Sequence, residues 1–160
     1  MRVMGIDPGA KSIAVAIMEA DGTLVSAWYS KGDSVNIVRR GSVMYDTFTT
    51  ADLVVIEVPQ IYQRSKGDPN DLIDVARMAG AMEYVARNRP DGRPARIEAV
   101  RPFQWKGNLP KEVHHKRILA ELSKDSLGVL EGSFKTIPKS LRHNVMDAVG
   151  LAMYGVKKCR

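Results

Sequence analysis

The most informative motif of this chain is VMGIDPG, residues 3–9, because it predicts a buried β-strand that ends at an acidic residue. Burying the carboxylate of Asp7 costs several kcal/mol unless a partner or a metal ion neutralises it. The Pro8-Gly9 turn leads into a second apolar run, residues 13–17, so the motif alone fits a simple hairpin with an acidic turn residue equally well. A second acid in a comparable position is needed before the motif indicates a functional site.

The sequence LVVIE, residues 53–57, repeats this setting further along the chain. Its apolar residues lead directly into Glu57, and strands this apolar are typically central in a sheet and covered on both faces. Asp7 and Glu57 are therefore predicted at the ends of two central strands, where they can serve as a pair of metal ligands.

A third acidic residue, Asp147, lies in an apolar helix predicted over 141–157. By default such an acid is more often a paired structural residue than a ligand. His143 and Asn144 precede it by one turn, and residues at these spacings share a helix face. Small residues that would let the helix pack closely on a sheet follow it: Ala148, Gly150 and Ala152. The three acids, with a His or Asn beside them, predict an oxygen-rich site suited to Mg²⁺ or Mn²⁺ and not to zinc.

The order of predicted elements, β-β-β-α-β-α-β-α-α, indicates an α/β domain. The predicted strands cover residues 2–6, 12–18, 23–29, 53–57 and 97–100. The predicted helices cover residues 33–50, 71–89, 110–123 and 141–157. Short turns between the first three strands predict an antiparallel meander, and the second helix is expected to have its N-cap at Asn70 or Asp71. The length is sufficient for one domain, predicted over residues 1–160.

The composition favours a polyanionic partner such as nucleic acid. Lys plus Arg number 24 against 18 Asp plus Glu, which gives a net charge of +6 and a pI near 9.5. Many small proteins are mildly basic, so the charge alone is weak support. The chain has no apolar run long enough for a membrane span, and its one cysteine, Cys159, excludes an internal disulfide. We therefore expect a protein of the reducing cytoplasm.

Three motifs, GIDPG at 5–9, VIE at 55–57 and DAVGLA at 147–152, resemble in sequence and order those of the RuvC-type Holliday junction resolvases. That family belongs to the RNase H-like nuclease superfamily. The resemblance runs from end to end of the chain, and residues 66–71 and 105–111 are similar to bacteriophage-encoded relatives. It implies an RNase H-like fold: a five-stranded mixed sheet with helices on both faces.

The resemblance also implies an activity. Members of this family are homodimers that bind a four-way DNA junction and cut two opposed strands symmetrically in recombination, repair or phage DNA processing. By the family pattern Asp7, Glu57 and Asp147 bind the divalent ions, Mg²⁺ or Mn²⁺, two per active site. Such a protein is expected in the cytoplasm of a bacterial cell or of a phage-infected host.

One position departs from the family pattern. The last helix of the family usually carries two acids three residues apart, whereas this chain has Asn144 three residues before Asp147. Three interpretations stay open from the sequence. His143 acts in its place as ligand or proton carrier, or Asn144 is a neutral metal ligand, or Asn144 is a replacement that inactivates the enzyme.

Basic residues are predicted to contact the phosphates of the DNA. Lys106 and Lys111 lie where the family places DNA-contacting lysines, and the basic side chains near them can add contacts. The full set of predicted phosphate contacts is Arg64, Lys66, Lys106, Lys111, Lys116 and Arg117. A solvated helix face is the alternative for each of them.

Four aromatic or imidazole side chains lie near the predicted site in sequence. Tyr62 is predicted either to stack on an unpaired base at the crossover or to pack half-buried against the core. Trp105 is expected to anchor its loop, and His114 and His115 are expected at the surface of the basic helix.

Two other functions stay open. An RNase H-like nuclease with relaxed specificity for branched DNA or RNA–DNA hybrids would have the same acidic cluster and different basic loops. A non-catalytic junction-binding protein would lack a complete set of ligands, and Asn144 is the residue that keeps this alternative open.

Overall fold

The computed structural model describes residues 1–39, 50–60, 68–89 and 91–159. Five strands lie in this part of the chain: β1 Arg2–Gly9, β2 Ser12–Glu19, β3 Leu24–Lys31, β4 Leu53–Glu57 and β5 Arg96–Val100. They form one sheet in the order β3-β2-β1-β4-β5. The predicted meander and both later strands are confirmed, and β1 continues past its predicted end to Gly9.

The pairing of the strands brings Asp7 and Glu57 side by side on the two neighbouring strands β1 and β4. β1 pairs antiparallel with β2 and parallel with β4, in a register that sets Ile6 opposite Ile56. Asp7 and Glu57 each follow these paired residues, so their side chains leave neighbouring strands at the same level. β4 and β5 are also parallel, which completes the predicted five-stranded mixed sheet.

The described helices are α1 Ser34–Arg39, α2 Pro69–Arg87, α3 Pro102–Lys106, α4 Lys111–Glu121, α5 Lys124–Phe134 and α6 Arg142–Lys158, with a 3₁₀ turn at Lys139–Leu141. The predictions of α2, α4 and α6 are confirmed within a few residues at each end. The helix predicted over 33–50 is present as α1, and residues 40–49 of that prediction lie outside the described residues. None of the described helices is long and apolar enough to cross a membrane.

Two helices, α3 and α5, were not predicted from the sequence, and the N-cap of α2 is not at the predicted Asn70 or Asp71. α5 contains Gly128 and Gly132, which lower intrinsic helix propensity, and α3 is barely more than one turn long. The N-cap of α2 is Asp68, whose carboxylate accepts a hydrogen bond of 2.9 Å from the backbone N–H of Asn70. Pro69 then occupies the first helical position, where its missing N–H costs nothing.

Helices cover both faces of the sheet, as predicted. On one face α2 packs Met78 and Met82 against strand residues such as Met4. On the other face α6 packs Val145 and its neighbours against residues such as Val3. Successive strand residues alternate between these two cores because side chains along a strand point to opposite faces.

The contact between α6 and β1 is unusually close because β1 has a glycine at the crossing point. A Cβ on Gly5 would lie 2.1 Å from the carbonyl oxygen of Ala148 and 2.4 Å from the amide nitrogen of Ala152. No side chain fits there, so the helix backbone rests directly on the strand. Asp147, which precedes Ala148, is thereby held near the carboxyl end of β1.

Candidate active site

The fold brings the three predicted acids together from three elements: Asp7 from β1, Glu57 from the end of β4 and Asp147 from α6. The three carboxylates are close enough for the charges of two of them to change the pKa of the third. Burial raises the pKa of Asp7 well above its ordinary value, and the negative charges of Asp147 and Glu57 raise it further.

Asp7 is the least compensated of the three carboxylates. It accepts no hydrogen bond from any residue that the structure describes, and the positive charges of Lys111 and Lys106 lower its pKa less than burial and the two acids raise it. A half-buried carboxylate without a hydrogen-bond donor loses part of its hydration and gains no protein partner in return. Its side chain therefore favours an incoming cation.

Glu57 is compensated through one of its two oxygens. The indole N–H of Trp105 donates a hydrogen bond of 2.6 Å to Oε2, and the ammonium of Lys106 lies 3.5 Å from the same oxygen. Burial raises the pKa of Glu57, against the opposing effects of Lys106 and of the Trp105 hydrogen bond. Oε1 accepts no hydrogen bond within the described part of the chain, so it is available to a ligand.

Asp147 is compensated through both of its oxygens. The ammonium of Lys111 lies 2.7 Å from Oδ2, and Nε2 of the His115 ring lies 2.8 Å from Oδ1. Burial alone would raise the pKa of Asp147, but the hydrogen bonds with His115 and Lys111 outweigh it and lower the pKa. The pKa values of Asp7 and Asp147 thus shift in opposite directions, although Asp147 is the more buried of the two.

The donors at this site fit a hard divalent cation in their chemistry. Asp7 and Oε1 of Glu57 offer carboxylate oxygens that accept no hydrogen bond from the described residues. Carboxylate oxygens are the ligands that Mg²⁺ and Mn²⁺ prefer. Across the described ranges no three His, Cys, Asp or Glu side chains are already grouped around one point as a metal site. The contacts of Asp147 with Lys111 and His115 agree with this, because its oxygens would have to leave those partners to join an ion.

The two side chains predicted beside Asp147 lie on the first turns of α6. His143 is exposed, and partial burial together with the positive charge of Lys111 lowers its pKa, so the imidazole is neutral at pH 7. Asn144 is half-buried. Both stand one turn before Asp147, as the sequence spacing predicts.

The predicted DNA contacts fall into three groups. Lys106 and Lys111 lie against the acids Glu57 and Asp147. Lys116 and Arg117 are exposed on α4. The remaining three, Tyr62, Arg64 and Lys66, lie outside the described residues.

The expectation that His114 and His115 are surface residues is wrong. The His115 side chain is only 17% exposed and contacts Asp147. His114 is half-buried, its ring meets that of Trp105 edge-on at 5.0 Å, and its Nε2 has no hydrogen-bond partner among the described residues. The available signal was the i, i+4 spacing of Lys111 and His115, which sets two hydrogen-bonding side chains on one helix face.

Trp105 is buried, at 8% exposure, so its predicted role as an anchor is confirmed. Its partner on α6 is Gly150, and a Cβ there would lie 2.6 Å from Cζ3 of the indole and 2.8 Å from Cδ1 of Ile118. Gly150 was expected to pack on the sheet with Ala148 and Ala152. It faces α3 and α4 instead, because residues two positions apart on a helix point in nearly opposite directions.

Several solved structures share this fold. T. thermophilus RuvC in complex with a Holliday junction substrate matches at a TM-score of 0.61 and 16% identity, over 99% of this chain and 95% of that one. The fowlpox virus resolvase bound to a substrate Holliday junction matches at 0.57 and 16%, over 99% of both chains. The yeast mitochondrial Holliday junction resolvase Ydc2 matches at 0.60 and 12%, over 97% of this chain and 77% of that one.

Comparison by sequence alone finds less. No protein-family model matches the chain, and no curated protein matches it. The structural matches extend over nearly the whole of this chain. The chain therefore has the RNase H-like fold of the RuvC-type Holliday junction resolvases.

Proposed function

We propose that this chain is a single-domain, metal-dependent DNA endonuclease that resolves four-way junctions by cutting two opposed strands. The observation that carries the proposal is the convergence of Asp7, Glu57 and Asp147, from β1, β4 and α6, at one edge of this fold. Two of the structural neighbours are bound to Holliday junctions. A net charge of +6 around an acidic centre suits a phosphodiester substrate.

In this proposal Asp7 and Glu57 are the first ligands of a divalent cation. When bound, Mg²⁺ or Mn²⁺ ions supply Lewis-acid activation of a water and neutralise charge at the leaving oxygen. Asp7 would contribute a carboxylate that accepts no hydrogen bond from the described residues, and Glu57 would contribute Oε1. Asp147 would add its oxygens if Lys111 released them, and Asn144 on the same helix would offer a neutral oxygen ligand.

The basic side chains bind the DNA. Lys106 and Lys111 lie against the acids, so a scissile phosphate at those acids comes within reach of both ammonium groups. Lys116 and Arg117 extend the positive surface along α4, and Arg64, Lys66 and Tyr62 are proposed as further DNA contacts from the sequence alone. His143, neutral at pH 7, can accept a proton from the attacking water.

Cutting two opposed strands in a concerted way requires two copies of the site, and we place the dimer contact on α2. Its outer face exposes Ile73 at 59% and Tyr84 at 61%, with Gly80 between them. A Cβ on Gly80 would meet no atom of the described residues within 4 Å, which leaves room among them for close approach by a second copy. Ile73→Glu is expected to give a monomer by light scattering, whereas Val25→Glu on β3 leaves the dimer intact.

The decisive experiment compares three substrates: a four-way junction, a fork and a plain duplex, each with Mg²⁺, Mn²⁺ or EDTA. Paired cuts confined to the junction and dependent on metal support the proposal, with Asp7→Asn as the inactive control. Cuts on every branched substrate, or on an RNA–DNA hybrid, would instead identify a nuclease of relaxed specificity. A protein that neither binds nor cuts the junction would refute the proposal.

A second candidate function is a junction-binding protein without nuclease activity. The observation that favours it is the engagement of both Asp147 oxygens by Lys111 and His115, with Asn144 where the family usually has an acid. Tight junction binding without cuts under any metal condition would select this function. Asn144→Asp then tests it directly, because restoring the acid is expected to restore cleavage.

A further inference from the structure

Trp105 is a buried residue that the proposed chemistry does not use. We infer that Trp105 is the positioning residue for Glu57, whose carboxylate its indole N–H holds in the orientation that leaves Oε1 toward a divalent cation. This inference rests on the proposed function, since it concerns how one proposed metal ligand is aimed.

The hydrogen bond itself is short and its donor is fixed. Nε1 of Trp105 lies 2.6 Å from Oε2 of Glu57, and the Trp105 side chain is only 8% exposed. An indole N–H donates a hydrogen bond and has no lone pair to offer, so Trp105 cannot itself be a metal ligand. The second partner of Oε2, Lys106, lies farther away at 3.5 Å on a flexible side chain. The indole is therefore the group that determines which oxygen of Glu57 stays available.

The position of the indole is set by its neighbours on three sides. Gly150 leaves room for the ring, since a Cβ there would lie 2.6 Å from Cζ3. His114 contacts it edge-on at 5.0 Å, and the Lys106 ammonium lies 4.8 Å from the ring centroid. Gly150 follows Asp147 by less than one turn of α6, so the ring connects the helix that carries one acid to the strand that carries another.

Such a hydrogen bond matters because outer partners orient metal ligands. Removing the partner of a ligating side chain typically lowers metal affinity about 10- to 100-fold. A carboxylate released by its partner can rotate, and both of its oxygens then lose their fixed direction. Trp105 acts on the cation only through Glu57, so it is a positioning residue and not a catalytic one.

The test is Trp105→Phe, which keeps an aromatic ring at this position and removes the donor together with part of the indole. We expect Mn²⁺ affinity, measured by calorimetry on the protein without DNA, to fall about 10-fold or more. We also expect kcat for junction cleavage to fall while KM for the junction stays nearly constant. Trp28→Phe on β3 is the matched control, and its Mn²⁺ affinity should equal that of the unmodified chain.

A second measurement uses a protein in which Trp105 itself is intact. Trp28→Phe leaves Trp105 as the single tryptophan, and a paramagnetic Mn²⁺ ion beside Glu57 should quench its emission. Adding Glu57→Gln to this variant should abolish the quenching. The quenching reports that the ion lies beside Glu57 and close to the indole, so the affinity change in Trp105→Phe can be assigned to that carboxylate.

The outcomes separate this inference from the proposed function. Weakened Mn²⁺ binding in Trp105→Phe, with quenching that requires Glu57, supports the inference. If the unmodified chain binds Mn²⁺ and cuts junctions but Trp105→Phe binds Mn²⁺ equally well, the inference is overturned and the proposed function stands. If the unmodified chain shows neither binding nor cleavage, both are overturned.

Discussion

The two halves of the candidate site contain the same chemical group in opposite electrostatic states. On the strand side, Asp7 has no hydrogen-bond donor among the described residues and burial raises its pKa. On the helix side, Asp147 is more deeply buried, yet Lys111 and His115 outweigh burial and lower its pKa. Burial alone therefore does not determine the charge state of a carboxylate, and the nearest donors decide the direction of the shift.

This contrast gives the two halves different tasks. The strand side carries a negative charge that its surroundings do not neutralise, which favours capture of a cation. On the helix side, Asp147 is already paired with Lys111 and His115. A metal ion would have to displace these side chains, or a DNA phosphate would have to attract Lys111 away from the acid. Asp7 on the strand side is thus suited to bind a metal ion, whereas Asp147 on the helix side is already paired with side chains of the protein.

The largest expected effect comes from removing the charge on the strand side. Asp7→Asn should lower the rate of junction cleavage about 10³-fold or more, because it removes several kcal/mol of stabilisation at the proposed metal site. Junction affinity, measured by electrophoretic mobility shift, should stay the same or rise, since a repulsive charge is lost. Cleavage at the unmodified rate would remove Asp7 from the site.

A smaller effect is expected from freeing the helix side. Lys111→Met leaves Asp147 without its closest cation, so Mg²⁺ affinity of the DNA-free protein should rise about 5-fold, or roughly 1 kcal/mol. Calorimetry measures this affinity. Lys116→Met, on the same helix but exposed, is the control, and its Mg²⁺ affinity should stay within about 2-fold of the unmodified value because its charge is screened by solvent. Equal affinities in both variants would mean that Lys111 does not compete with the metal.

The two acids should change stability in opposite directions at pH 7. Asp7→Asn should raise the melting temperature, because the folded state no longer contains a destabilised charge, whereas Asp147→Asn should lower it by breaking two contacts. Each kcal/mol in the free energy of unfolding corresponds to about 2–4 °C for a chain of this size. Thermal unfolding followed by circular dichroism in EDTA measures both changes, and changes of the same sign would contradict the contrast.

The pH dependence follows from the same shifts. The pKa of Asp7 is raised in the folded state, so its ionised form destabilises the fold above that pKa, and the penalty shrinks as the pH falls from that pKa to the ordinary carboxyl pKa of about 4. The pKa of Asp147 is lowered, so Asp147 stabilises the fold above the ordinary carboxyl pKa of about 4, and this contribution is lost as the pH falls through its lowered value. The advantage of Asp7→Asn should therefore shrink with acidification.

The smallest expected effect concerns salt. Lys116 is exposed and not paired with an acid in the described part of the chain, so Lys116→Met should reduce the slope of log affinity against log salt by about one. Lys111→Met should reduce it less, because the charge of Lys111 is already partly neutralised by Asp147. Filter binding at several salt concentrations gives both slopes, and equal slopes would show that the ion pair opens fully on DNA.

The strands and the acids could be predicted because their signals are local. The apolar runs before Asp7 and Glu57 define both strands, and helical periodicity around Asp147 defines α6. α5 could not be predicted with the same rules, since its glycines lower helix propensity and packing outweighs them: Leu130 is only 1% exposed. The cap at Asp68 was missed although Asp before Pro is a recognisable helix start.

The partners of the acids could not be predicted from the sequence. Trp105 bonds to Glu57 across 48 positions and His115 to Asp147 across 32. No propensity or period connects residues at such separations. Lys106 and Lys111 were predicted as DNA contacts, and their second role as counter-ions of the acids depends on how α3 and α4 pack beside α6.

Local sequence patterns were sufficient to predict the five strands, the helices α2, α4 and α6 and the three acids, because apolar periodicity and isolated charges are properties of short segments. Which of those acids is neutralised depends on the tertiary structure. That outcome depends on the close crossing of α6 over Gly5 and on the notch at Gly150, which bring donors from α3 and α4 to particular oxygens. Electrostatic compensation acts over a few ångströms in space, and distance along the chain does not encode it.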